Sequence, residues 1–337
     1  MKKRIKVMIV DDSLLFRELI SRGLATEPGI DVVVKAVDPF DARDKMLEYM
    51  PDVITCDVEM PKMNGIEFVR RLIPQYPVPV IIVSSVSSAV FDAMNAGAVD
   101  FITKPNVQSV HEVEIFLKDL IQRIKIVSEV NVTKQQEANL KKVLVKENFD
   151  KRKIIAIGAS TGGTEAIYSV LKQLPREMPG ILIVQHIPPL FSTMFAERLN
   201  NQTAFDAKEA ENGDYLKPGT VLVAPGDKHM TIKKIGELYK VIVSEGEKVN
   251  GHCPSVDVLF ESVAKECGSD AIGVILTGMG YDGAKGLQSM RRKGARTIGQ
   301  DEESCIVYGM PKVAFEIGAV ERQVSLNNIP HAICNLL

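Results

Sequence analysis

The sequence predicts two α/β domains in tandem, each a doubly wound, mainly parallel sheet. Three observations predict this. Short apolar runs of strand length alternate with amphipathic helical patterns from residue 6 onward. The rhythm stops in a polar stretch at residue 125 and resumes at residue 153. At 337 residues the chain is long for one domain and comfortable for two, and with 45% apolar residues it can fill two cores.

The first domain, residues 1–124, supplies five strand-like runs in order: "KVMIV", "DVVVKAV", "DVITCD", "VPVIIVSS" and "VDFITKP". Five strands separated by helical segments form a parallel sheet with crossover helices. Residues 125–150 then read as a polar, partly helical linker. Residues 125–153 hold eight Lys/Arg against four acids, which makes a solvated linker a better reading than a nucleic-acid contact. The second domain, residues 151–337, runs through "KIIAIGAS", "PGILIVQHIPP", "GTVLVAPGDKHM", "YKVIVSE" and "DAIGVILTGMGYDG". A strand–turn–helix unit in "GARTIGQDEESCIVYGMPKVAFEIGAV" completes it.

Composition excludes several function classes. The five cysteines, Cys56, Cys253, Cys267, Cys305 and Cys334, form no CxxC pair. Odd and scattered, they argue against a disulfide framework or a structural zinc site and fit a reducing cytoplasm. The apolar run in "MKKRIKVMIVDD" is broken by acids, so neither a signal peptide nor a membrane insertion is expected. A net charge of −2 gives no general attraction to nucleic acid.

Carboxylates end the first and third strands: Asp11 and Asp12, then Asp57. In a parallel sheet strand ends share one edge, so these acids converge and call for a cation. Oxygen ligands of this kind suit Mg²⁺, which bridges to phosphate oxygens. Ser84 after the fourth strand adds a hydroxyl, and Lys104 after the fifth adds a positive charge. Asp12 or Ser13 alone would read as a helix cap, but five such residues at successive strand ends are harder to dismiss.

On these residues the segment up to about residue 124 resembles a response-regulator receiver domain, with its flavodoxin-like five-stranded sheet. The resemblance implies that Asp57 accepts a phosphoryl group from a chemotaxis histidine kinase, with Asp11 and Asp12 holding Mg²⁺. It places Glu59 where the family uses a backbone carbonyl as a metal ligand. It makes Ser84, Phe101 and Lys104 the switch hydroxyl, the switch aromatic and the phosphate-pairing lysine. The stretch between Ser84 and Lys104 is a few residues shorter than the usual receiver pattern. That shortening falls where the signal is relayed, so it bears on coupling to the second domain rather than on phosphorylation.

In the second domain "GASTG", residues 158–162, satisfies G-x-S-x-G between a strand and a helical pattern. Small neighbours allow the sharp turn that presents a serine nucleophile, Ser160. The same loop could cradle a phosphate, although no P-loop lysine follows it. His186 ends the strand "ILIVQH" and Asp282 follows another apolar strand, so both fall at the edge where Ser160 lies. The order Ser, His, Asp differs from that of α/β-hydrolases. His229 and His252 compete for the base, and Asp282 could instead cap the helix "DGAKGLQSMRR".

The stretches "GASTGG", "QHIPPLFSTMFAERL", "LVAPGDKHM", "PSVDVLFESVA", "LTGMGYDGAKG" and "QDEESCIVYGMPK" together resemble the catalytic domain of chemotaxis protein-glutamate methylesterases (CheB). The resemblance implies a Ser160–His186–Asp282 triad, with Thr161 and the Met279 backbone holding the tetrahedral intermediate. It implies hydrolysis of glutamate γ-methyl esters on the cytoplasmic helical region of methyl-accepting chemoreceptors, and deamidation of receptor glutamines. It implies a receiver that covers the site until phosphorylated. A near-complete switch of that kind needs about 5.5 kcal/mol of differential stabilisation. No cofactor is expected for the hydrolysis itself, and a monomer is expected. Two other classes stand against it: a non-catalytic signalling module, and a receiver fused to a DNA-binding output. The retained triad candidates speak against the first. The length and α/β rhythm of the C-terminal part speak against the second.

Overall fold

The computed structural model describes residues 3–85, 89–130 and 153–337, and the chain divides into two compact units. In the first, β1 (Ile5–Val10), β2 (Ile30–Ala36), β3 (Val53–Cys56), β4 (Val80–Ser84) and β5 (Asp100–Thr103) form a parallel sheet in the order β2-β1-β3-β4-β5. The helices α1 (Leu14–Ala25), α2 (Pro39–Tyr49), α3 (Gly65–Leu72), α4 (Ala89–Asn95) and α5 (Val110–Val127) connect and flank these strands. Strands covered on both faces need continuous apolar runs, and Val7–Val10 and Val53–Cys56 are buried throughout. Helix starts carry local signals. Asp38 accepts from Phe40 N and Asp41 N ahead of Pro39, and Asn64 accepts from Glu67 N.

Two sequence expectations change here. The linker does not begin at residue 125, because α5 runs to Val127 with Ile124 and Val127 buried. Apolar residues at that spacing continue one helical face into the core. Residues 131–150 of the expected linker lie outside the described residues, as do residues 86–88 of the shortened stretch. Ser13 stands at the N-cap of α1 but makes no side-chain cap; instead Ser13 N donates to Asp11 Oδ1 at 2.8 Å.

The second unit is built on a seven-stranded parallel sheet, order β15-β14-β13-β6-β7-β10-β8. Its strands are β6 (Ile154–Ala159), β7 (Gly180–Gln185), β8 (Asp206–Glu209), β10 (Thr220–Val223), β13 (Ala271–Ile275), β14 (Arg296–Gln300) and β15 (Arg322–Val324). Helices α6 (Gly163–Gln173), α7 (Phe191–Gln202), α8 (Val256–Cys267), α9 (Ala284–Arg292), α10 (Met310–Glu316) and α11 (Ile329–Cys334) pack around it. Val256, Leu259, Phe260 and Val263 on α8 are fully buried, in one core cluster with Leu287 and Met290 of α9.

"YKVIVSE" proves not to be part of the parallel sheet. It forms β12 (Leu238–Ser244), paired antiparallel with β11 (His229–Ile235) and β9 (Tyr215–Leu216) in a separate small sheet. Its alternating exposure is that of a strand covered on one face only.

The chain leaves β6 to one side for β7 and returns on the other side as β13. This makes β6 a topological switch point, where an open α/β sheet leaves a crevice at its strand C-termini.

Candidate functional site

Ser160 stands one residue beyond β6, in that crevice. Its backbone is held from three sides. Ser160 N donates to Thr277 O at 3.0 Å, and Ser160 O accepts from Gly163 N at 2.7 Å and from Gln185 Nε2 at 2.9 Å. Gly162, at φ 75°, makes the reversal into α6 that leaves the hydroxyl at the tip. The other approach is tight at Gly278. A Cβ built there would lie 2.8 Å from Ser160 Cβ and 2.4 Å from Met310 Sδ. Gly278→Ala is therefore expected to lower turnover by roughly 10²-fold through a displaced serine. It should also cost about 1–3 kcal/mol of stability. Steady-state kinetics with a melting curve checks both.

The register of β6 on β7, Ala159 opposite Gln185, brings the next residues together, and His186 N donates to Ala159 O at 3.1 Å. His186 Nε2 lies 2.8 Å from Asp282 Oδ2, with the two side chains 8% and 1% exposed. An ionised carboxylate accepts only, so Nε2 carries the proton and Nδ1 is the basic nitrogen. Nδ1 is buried and has no hydrogen-bond partner among the described residues.

Asp282 does not cap the helix that follows it; Gly283 is the N-cap of α9. Its carboxylate faces the start of α8 instead. Oδ2 accepts from Val256 N at 2.7 Å, and Oδ1 accepts from Ser255 Oγ at 2.8 Å, Asn250 Nδ2 at 2.9 Å and Asp257 N at 3.3 Å. Burial alone would raise its pKa. The hydrogen bond and charge of His186, helped by Asn250 and Ser255, outweigh burial and hold Asp282 well below the usual carboxylate range. Neighbouring Asp257 goes the other way: burial first, then the charge of Asp282, push it up.

Of the two competing histidines, His229 is a satisfied core group. Its Nδ1 accepts from Ser255 N at 3.2 Å and its Nε2 reaches Glu247 O at 2.9 Å, which occupies both nitrogens. His252 lies at the site, its ring stacked on that of His186. Thr161 is buried next to Ser160, and its carbonyl accepts from Thr277 Oγ1 at 3.0 Å. Met279 follows Gly278, and its N–H donates to no acceptor among the described residues. Sequence reasoning missed Gln185, Asn250, Ser255, Asp257 and Thr277.

In the first unit, Asp11, Asp12 and Asp57 each bring a carboxylate oxygen within 4.8 Å of the others. Lys104 Nζ joins two of them, 2.6 Å from Asp57 Oδ2 and 2.8 Å from Asp11 Oδ2, and lies 4.6 Å from the centroid of the Phe16 ring. Burial and the Asp57 charge raise the Asp11 pKa despite Lys104. Burial would lower that of Lys104, but the two acids raise it. Glu59 is exposed, and its backbone N–H approaches Asp57 Oδ1 at 3.4 Å. Ser84 is buried at the end of β4, its hydroxyl without a partner among the described residues. Phe101 is buried edge-on to Phe91. Three clustered carboxylates, two of them buried, with Lys104 paired to two of them, fit a divalent cation.

Residues 155–333 match the model of the CheB methylesterase family, and residues 7–113 match that of the response regulator receiver domain. The chain belongs to the CheB methylesterase family. A protein-glutamate methylesterase/protein-glutamine glutaminase of Syntrophomonas wolfei is 54% identical over 335 residues, covering 99% of this chain and 98% of the relative. One from Syntrophotalea carbinolica is 48% identical over 350 residues, covering 100% and 99%. The crystal structure of the Thermotoga maritima CheB methylesterase catalytic domain covers 55% of this chain and 98% of its own, at 37% identity and a TM-score of 0.54. The CheB-family domain order, receiver then catalytic domain, is thus the order of the two units. A receiver in general takes a divalent metal for phosphorylation. No helix among the described residues is long and apolar enough to cross a membrane.

Proposed function

We propose that the chain is a phosphorylation-activated chemotaxis methylesterase, with Ser160 as nucleophile, His186 as base and Asp282 as the acid that orients the base. The observation that carries this reading is the free, buried His186 Nδ1, on a ring whose other nitrogen is pinned by an ionised Asp282, at the end of the strand paired with the one that Ser160 follows. Ser160 Oγ attacks the γ-carbonyl carbon of a methylated glutamate while Nδ1 takes its proton. The Met279 N–H, with Thr161 beside it, supports the oxyanion; such a donor is typically worth about 10²–10³ in rate. The bond between the γ-carbonyl carbon and the methoxy oxygen breaks, Nδ1 gives the proton to that oxygen, and methanol leaves. Water then attacks the acyl-serine by the same route and frees the glutamate carboxylate. A glutamine enters the same cycle with ammonia leaving. The ring is used in the opposite sense to serine proteases, where Nε2 faces the serine.

In the receiver, Asp57 is the phosphoacceptor and a chemotaxis histidine kinase the phosphodonor. Asp11, Asp12 and Asp57, with the carbonyl of Glu59, would hold Mg²⁺, which supplies charge neutralisation for phosphoryl transfer. Lys104 pairs with the acceptor carboxylate. Ser84 and Phe101 carry the switch. The substrate is the cytoplasmic helical region of methyl-accepting chemoreceptors, and the protein acts as a monomer in the cytoplasm.

The test is methanol release from membranes carrying methylated chemoreceptors, with Mg²⁺ and a small-molecule phosphodonor. Release is expected to rise with the phosphodonor in the native protein, and Asp57→Asn is expected to flatten that response. Absence of release from receptors shown to be methylated and cognate would overturn the esterase reading. An Asp57→Asn variant that still responds would overturn the phosphoacceptor assignment.

A further inference from the structure

The segment "VNGH", residues 249–252, is a two-residue hairpin turn built into the active site. Val249 N donates to His252 O at 3.0 Å and His252 N to Val249 O at 2.9 Å. The two central residues, Asn250 and Gly251, have φ of 54° and 86°. Positive φ at both centres is the type I′ turn, which Asn-Gly favours. This one turn delivers two side chains to the catalytic pair. The Asn250 amide nitrogen donates to Asp282 Oδ1 at 2.9 Å and to Asp257 Oδ2 at 2.7 Å. The His252 ring lies face to face on His186, with centroids 3.7 Å apart and planes 10° apart.

The stack does something the Asp282 bond cannot. The His186 ring turns about its Cβ–Cγ bond, a torsion with broad wells. Nε2 lies closer to that axis than Nδ1 does, so a hydrogen bond at Nε2 restrains the rotation only weakly. Nδ1 swings out of line with the serine as the ring turns. A flat neighbour in van der Waals contact along the whole face resists that turn, because rotation drives one ring edge into it. Its π face also suits the positive charge that His186 gains when it takes the serine proton.

We infer that His252 is a positioning residue for the base: the Val249–His252 turn clamps the pair, His252 fixing the plane of His186 and Asn250 fixing Asp282. This rests on the reading of His186 as base to Ser160. The role asks for a flat ring at position 252 and not for a second ionisable group.

The full-length protein, in Mg²⁺ and a small-molecule phosphodonor, separates flatness from bulk through two replacements. His252→Leu keeps apolar bulk without a plane and is expected to lower kcat for methanol release by roughly 10- to 100-fold with KM unchanged. His252→Phe restores the plane and should recover most of that loss. Covalent labelling of Ser160 by a fluorophosphonate needs the base but no receptor. Its rate should follow the same order, with Ser160→Ala unlabelled as the control and melting curves establishing that the variants are folded. A Leu variant as fast as the native protein would overturn the inference. So would a Phe variant as slow as His186→Ala, since His252 would then be handling protons itself. If native protein and variants all fail to release methanol while labelling keeps the Leu-below-Phe order, the receptor reading fails and the clamp stands.

Discussion

Ser160→Ala is expected to reduce methanol release by about 10⁴-fold or more, and removing His186 as well should cost almost nothing further. Residues that act as one unit lose nearly everything with the first deletion, leaving only what binding and the oxyanion donors supply. The variant should fold as the native protein does. Every bond recorded for Ser160 is made by its backbone, to Thr277, Gly163 and Gln185, and alanine keeps all three. Unchanged melting and retained receptor binding with lost turnover would separate chemistry from docking. Release above a hundredth of the native rate in Ser160→Ala would remove the serine from the reaction. Equal signalling by the native and alanine forms would favour a non-catalytic module.

Much of this site was readable from strand ends. Ser160, His186 and Asp282 follow β6, β7 and β13, and a parallel sheet puts the C-termini of its strands on one edge, so apolar runs followed by chemistry-bearing residues found them. The carboxylates of the first unit yielded to the same reasoning. What stayed hidden lies off the strand ends. Asn250, Ser255 and Asp257 reach Asp282 from the turn before α8 and from its first residues, and no periodicity points there. Asn-Gly in "VNGH" was a turn signal, but a turn signal does not say what the turn faces. Gln185 is the last residue of β7, and nothing in the strand pattern says that its amide braces the Ser160 carbonyl. "YKVIVSE", the β12 strand, fits the parallel rhythm in sequence because an isolated apolar run carries no mark of its partner's direction.

Asp282→Asn is expected to lower turnover by about 10⁴-fold, as the corresponding change does in a serine protease, and to destabilise the fold. All five groups around this carboxylate are donors: His186 Nε2 and Val256 N on Oδ2, and Asn250 Nδ2, Ser255 Oγ and Asp257 N on Oδ1. An asparagine must turn its NH₂ towards one of these sets. Facing the Oδ2 side, it meets the fixed Val256 N–H and forces His186 to accept at Nε2. The proton then sits on Nδ1, and the base is lost. Facing the Oδ1 side, the tautomer survives, but the negative charge that stabilises the protonated ring is gone. The destabilisation carries a pH signature. The folded pKa of Asp282 is depressed, so its contribution is fully present above the ordinary aspartate value of about 3.9. It is lost as pH falls from there through the lower folded value. The stability gap between native protein and Asp282→Asn, measured by denaturant unfolding, should hold steady from pH 7 to 5 and close only in stronger acid. A gap that closes near pH 6 would mean that a different group, not this carboxylate, carries the charge at the start of α8.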